Sequence, residues 1–126
     1  MKLDIDCMRA VMLEVEKQPY RTDLTFHSLK AQLSKYSEDE LSYTCIKLKE
    51  AGLIEALIIH ADNFAQVHLI SDITFEGHQF LADIRSDNIW GKTKSILGEI
   101  GSTSLSAVIQ VAAGVVQAAI TQKMGF

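Results

Sequence analysis

The sequence predicts a mainly α fold with one β-hairpin, of the α+β class. Apolar residues recur at helical spacing before residue 52 and after residue 73, and between them, over 53–70, the period drops to two. The breaks fall on residues that start or stop elements: Pro19, Ser37, Gly52 and Gly101.

The first helix is expected over 4–17, with Ile5, Met8, Val11, Met12 and Val15 as its stripe and Asp4 and Asp6 at the end where negative charge suits the helix dipole. Pro19 blocks continuation, and 18–25 reads as a connection. A second helix follows over 26–35 on Phe26, Leu29 and Leu33. Ser37-Glu38-Asp39-Glu40 is a capping box that launches a third helix over 38–51, with Leu41, Cys45 and Leu48 on one side. Gly52 stops it. Residues 53–60 and 65–70 are strands joined by turn residues 61–64. A fourth helix spans 74–86, with Gly77 inside it at some cost in propensity and Phe75, Phe80, Leu81 and Ile84 apolar. A fifth spans 88–100, a hinge is expected at Gly98, Gly101 and Ser102, and the last helix runs over 104–123. Phe75, Phe80 and Trp90 read as core aromatics.

Helix, helix, short turn, helix, hairpin is the order of a winged helix-turn-helix, here with a C-terminal helical extension. The expected division is a winged-helix domain over 1–72 and, over 73–126, C-terminal helices that pack on it and mediate oligomerisation.

Composition excludes several classes. At 48% hydrophobic and 22% charged residues the chain buries a core rather than remaining disordered. The net charge of −4 does not announce a polyanion binder, although Lys17, Arg21, Lys30, Lys35, Lys47 and Lys49 outnumber the acids between 17 and 49. Cys7 and Cys45 sit in helical patterns and read as buried thiols of a reducing cytosol, with no CxxC pair to hold zinc. No apolar run follows the N-terminus, so no signal peptide is expected and the location is cytoplasmic. Asp4/Asp6 and Glu14/Glu16 lie two apart on a helix and do not converge. No phosphate loop, nucleophile elbow or Ser/His/Asp arrangement appears. His60 and His68 face each other across the hairpin without a third ligand, and His27 and His78 read as helix side chains. The expectation is no enzyme, no metal and no cofactor.

Three segments carry a family resemblance: Met1-Lys2-Leu3-Asp4 running into 9–16, then Lys49-Glu50-Ala51-Gly52-Leu53-Ile54, then Ile73-Thr74-Phe75-Glu76-Gly77-His78-Gln79-Phe80-Leu81 with Ile84, Arg85 and Trp90. Over about residues 1–98 the chain resembles an uncharacterised domain-of-unknown-function family common in phage and prophage genomes. The middle segment is similar to the helix-to-wing junction of winged-helix regulators. The resemblance implies a winged-helix-like fold and a mobile-element origin, and no activity.

The functional expectation is therefore a winged-helix, DNA-binding transcriptional regulator with double-stranded DNA as partner. The alternative is a module of the same fold that binds a host or phage protein. Duplex binding needs cations for phosphates and polar readers on one helix face. Ser42, Tyr43, Thr44 and Lys47 are the outward candidates on the third helix, with Thr44 and Lys47 on a shared face, and Arg21, Lys30 and Lys35 bracket the backbone. Glu38, Asp39 and Glu40 at the start of that helix and a wing tip without Lys or Arg count against it. The last helix, free of charge before Lys123, is apolar on most of its surface and is expected to bury Leu105, Val108, Ile109, Ala112, Val115, Val116, Ala119 and Ile120 against a second copy, as a dimer rather than in a membrane.

Overall fold

The computed structural model describes residues 1–125. The chain divides into two compact units, 1–78 and 79 onward, with the boundary inside a helix. The first unit holds α1 (Ile5–Glu16), β1 (Leu24–Thr25), α2 (Phe26–Gln32), α3 (Glu38–Glu50), β2 (Ile54–Ala61), β3 (Phe64–Ile73) and the start of α4 (Phe75–Ile84). The second holds the rest of α4, α5 (Asp87–Ile100) and α6 (Leu105–Lys123). The element order and the three-stranded antiparallel sheet of order β1-β3-β2 make the first unit a winged helix-turn-helix.

Local chemistry sets the ends. Asp4 caps α1, its carboxylate accepting the N–H groups of Asp6 (2.9 Å) and Cys7 (3.2 Å). The capping box forms as its residues predict: Ser37 Oγ accepts the Glu40 N–H and Glu40 accepts the Ser37 N–H. α2 is a turn shorter than expected, because Leu33 leaves helical geometry. β1 was not expected. Only two residues long, it pairs Leu24 with Ile70 and Thr25 with Leu69, and Thr25 also caps α2.

The hairpin is longer than 53–70. Asp62 and Asn63 both have positive φ (50° and 65°), the backbone of a tight turn whose twist matches its strands. Strict alternation in β3 is corrected. Val67, Ile70 and Ile73 are the buried positions, three apart, which a period of two forbids. Two register shifts resolve the conflict by leaving His68 and Ser71 without register partners on β2, and each bulge turns the next apolar residue inward.

The core beneath the sheet comes from Met8, Val11 and Met12 of α1, Leu29 of α2, and Leu41, Cys45 and Leu48 of α3. Thr44 is only 2% exposed, so its expected outward placement is corrected. Leu41, Thr44, Cys45 and Leu48 form one i, i+3, i+4, i+7 stripe. Its methyl packs as an apolar group, and its hydroxyl donates to the Glu40 carbonyl one turn back (2.7 Å), with Cys7 Sγ at 3.4 Å.

The C-terminus of α3 is tied to the start of α4. Gly52 (φ 76°) reverses the chain after Ala51. Thr74 Oγ1 then donates to the Gly52 carbonyl (2.6 Å), the Thr74 N–H to the Leu53 carbonyl (3.1 Å), and the Gly77 N–H to Thr74 Oγ1 (3.0 Å). A Cβ on Gly77 would overlap the Leu53 carbonyl oxygen and the Ile73 side chain. Gly77 is thus the residue that lets α4 approach, rather than a propensity defect.

In the second unit α5 and α6 pack as a helical hairpin joined by residues 101–104. Thr93 repeats the device of Thr44: fully buried, it donates to the Ile89 carbonyl (2.8 Å). Phe80 and Trp90 are buried as expected, whereas Phe75 is exposed. Gly98 lies within α5, so the hinge expected there is absent and the chain turns only at Gly101. α6 is not apolar all round. Val108 and Ala112 are fully buried, and a polar line of Ser106, Gln110, Gln117 and Thr121 runs along another face, with Gln110 donating to Ser106 (2.9 Å). Val108 and Ala112 are therefore already packed within the chain and are corrected as intermolecular contacts.

Two glycine substitutions take opposite signs. Gly77→Ala overpacks the α3–α4 junction and should lower stability by about 1–3 kcal/mol. Gly98→Ala meets open space in a helix interior and should raise it by about 0.4–1 kcal/mol. Urea denaturation of both variants checks the pair.

Burial pushes the Cys45 thiol up to about 12 and raises the Cys7 thiol as well, from an ordinary value of 9.0. The fold accommodates the neutral thiols, so their contribution is full below pH 9 and declines above it, where the unfolded chain ionises them. Thiol-exchange reagent at pH 8 should label both cysteines slowly in the native protein and within the mixing time in denaturant.

Candidate nucleic-acid interface

α3 is held against the core by Leu41, Thr44, Cys45 and Leu48, which fixes its outward side by elimination. That side carries Asp39, Tyr43, Ile46 and Glu50, flanked by Ser42 and Lys47. Ser42, Tyr43 and Lys47 keep partial exposure, as does Ile46, which the sequence places off the core face but which is not among the candidate site residues. The signal for both Ile46 and Thr44 was present: the same stripe that draws Thr44 inward turns Ile46 out.

The cations around α3 are engaged. Lys47 sits 2.9 Å from Glu50 and 5.4 Å from the centre of the Tyr43 ring, and the Glu50 carboxylate raises its pKa. Lys30, on α2, lies 3.6 Å from Glu38 at the start of α3, and 5.6 Å from the Phe26 ring centre. Lys49 donates to the Ala56 carbonyl (2.8 Å), stapling the helix to β2. Lys35, in the turn before α3, lies over the Tyr36 ring at 5.0 Å. Such exposed pairs contribute little and exchange readily for another anion. Ser42, Tyr43 and Lys47 thus lie on the outward side of α3 and its flanks, whereas Lys30 meets the helix only at Glu38, half a turn around the axis from Lys47, and Lys35 lies in the turn before it. Thr44 does not join them.

Arg21 sits elsewhere in the unit. It has φ 65° in the turn from Pro19 to Thr22, closed by the Thr22 N–H on the Pro19 carbonyl (3.1 Å), and its guanidinium lies 5.2 Å from the Tyr20 ring centre. It lines a polar cleft of about 270 Å³ together with Asp23, Glu55 and Asp72. A guanidinium among three carboxylates is a poor phosphate bracket.

The wing is not basic. Its outer face presents Leu57, Ile59 and Phe64, the last 76% exposed. His60 pairs with Ala65 and His68 falls at a bulge with no register partner, so the two do not face each other as the sequence suggests; both are exposed, and among the described residues no group of three or more His, Cys, Asp or Glu is placed to hold a metal.

A solved structure of a PadR family transcriptional regulator from Eggerthella lenta is 17% identical and matches 79% of this chain and 89% of its own, with a TM-score of 0.46. An uncharacterized protein of Haemophilus influenzae is 32% identical over 114 residues, 89% of this chain and 92% of its own length. The family model described as "Hypothetical protein (DUF2513)" matches residues 2–104, all elements from α1 to α5. The chain belongs to the DUF2513 family.

Proposed function

We propose that this protein is a winged-helix DNA-binding regulator that docks α3 on duplex DNA. The observation that supports this reading most is the open outward side of α3, which presents Tyr43 flanked by Ser42 and Lys47, with Lys30 and Lys35 on the preceding helix and turn of a helix-turn-helix. Lys47 and Lys30 would leave Glu50 and Glu38 for phosphates, and Ser42 and Tyr43 would supply hydroxyl contacts. Glu38 and Asp39 oppose that approach, so the affinity of one copy is modest and strongly salt-dependent. A phage or prophage origin and a cytoplasmic location belong to the same reading.

A second reading rests on the chemistry of that same side. Tyr43 and Ile46 between Asp39 and Glu50, and the apolar outer face of the wing, suit a protein partner without any nucleic acid.

A salt series on heparin and on random duplex separates the two. The regulator reading expects retention at 50 mM salt that falls by about tenfold or more by 200 mM. Lys35→Ala and Lys47→Ala should each weaken duplex binding and shallow the salt slope by about one. No retention at low salt, or two variants indistinguishable from the parent, would remove DNA from the reading and leave the protein partner.

A further inference from the structure

α5 and α6 together line an open apolar groove. Its volume is about 530 Å³, and its lining comes from Lys92, Ser95 and Ile96 of α5 and from Val111, Gly114, Val115 and Ala118 among the residues of α6. Every one of these residues belongs to the second unit. We propose that this groove is a homodimer interface, in which the α5–α6 hairpin of a second copy packs across a two-fold axis with the two α5 helices antiparallel.

The charge pattern selects a second copy over other occupants. Lys92, Ser95, Ile96 and Glu99 are spaced i, i+3, i+4, i+7, so they share one face of α5, and all four are exposed. Lys92 and Glu99 lie about 10 Å apart along the helix axis. Among the described residues neither makes an ion pair. A two-fold axis between Ser95 and Ile96 sets each Lys92 opposite Glu99 of the partner subunit, and each Ile96 opposite Ser95 of the partner subunit. Two reciprocal ion pairs then flank the buried centre, as an isologous interface requires. Exposed Ile96 supplies bulk for the groove, and Gly114 and Ala118 leave room for close approach.

The dimensions agree. α5 has 14 residues and α6 has 19, about 21 and 28 Å. Side by side they present a face of about 400–600 Å² in projection. With side-chain relief this reaches the accessible area of about 800 Å² per partner typical of specific interfaces. The product is a four-helix bundle with an apolar centre. α6 is also long and apolar enough to cross a membrane by length and composition. A bilayer would, however, desolvate the polar line of Ser106, Gln110 and Gln117, which in the dimer stays in water.

The test uses the full chain at low salt, with sedimentation velocity or light scattering over a concentration series and circular dichroism as the folding control. The parent should be a dimer. Lys92→Glu and Glu99→Lys, each of which sets like charges opposite one another, should weaken dimerisation by tenfold or more with unchanged helicity. The double swap Lys92→Glu/Glu99→Lys should restore it. A parent that stays monomeric at every concentration overturns the proposal, as does a dimer indifferent to both single reversals or a double swap that fails to recover. Co-sedimentation with phosphatidylcholine/phosphatidylglycerol vesicles by a parent that forms no dimer overturns it in favour of a lipid surface.

Discussion

The junction between Gly52-Leu53 and Thr74-Gly77 is the constraint on which the winged-helix unit depends. The last carbonyls of the α3 region have no helical partner beyond them and need donors. Thr74 supplies two, its hydroxyl to Gly52 and its N–H to Leu53, and the same hydroxyl accepts the Gly77 N–H at the start of α4. Because Gly77 has no Cβ, α4 comes close enough to make these bonds. One cluster thereby fixes the end of α3, the start of β2 and the end of β3. Lys49 adds a further tie from α3 to Ala56.

With α3 held at that end and by its buried stripe, its outward side is a fixed platform rather than an adaptable loop. What the platform offers is mixed: an aromatic, an isoleucine, a serine and a lysine between carboxylates. The electrostatics temper docking on a polyanion without forbidding it, since the ion pairs of Lys30 and Lys47 lie at the surface, where water and salt already weaken them. If two copies associate through α5 and α6, weak contacts from each would add through effective concentration, and modest single-copy affinity would suffice.

Much of the fold was legible because each helix boundary has a local chemical cause. Ser37 and Glu40 announce the cap of α3, and Gly52 its end. The details that escaped depend on tertiary contact. β1 is two residues long and exists only because β3 offers an edge. The bulges at His68 and Ser71 follow from the need to bury Val67, Ile70 and Ile73 together, which no alternating pattern displays. Gly77 looked like a helix defect until the Leu53 carbonyl stood beside it. Thr44 was misplaced because its type suggested a reader, although its spacing put it in the stripe with Leu41, Cys45 and Leu48. Gln110, Gln117 and Ser106 were legible as polar residues of α6, and the structure shows that they fall on one line, which periodicity and not composition separates from the buried face of Val108 and Ala112. Two of the three segments that carried the family resemblance, 49–54 and 73–81, meet at the junction, which gives that resemblance a physical content.

Amide chemical-shift mapping with a short random duplex at low salt tests most directly that the fixed outer side of α3 is where this protein docks. Docking there predicts perturbations concentrated at residues 35–47, strongest near Ser42, Tyr43 and Lys47, with the hydrogen-bonded Thr74 and Gly77 amides unmoved. Shifts confined to the wing or to the second unit, or no shifts at all, would contradict it.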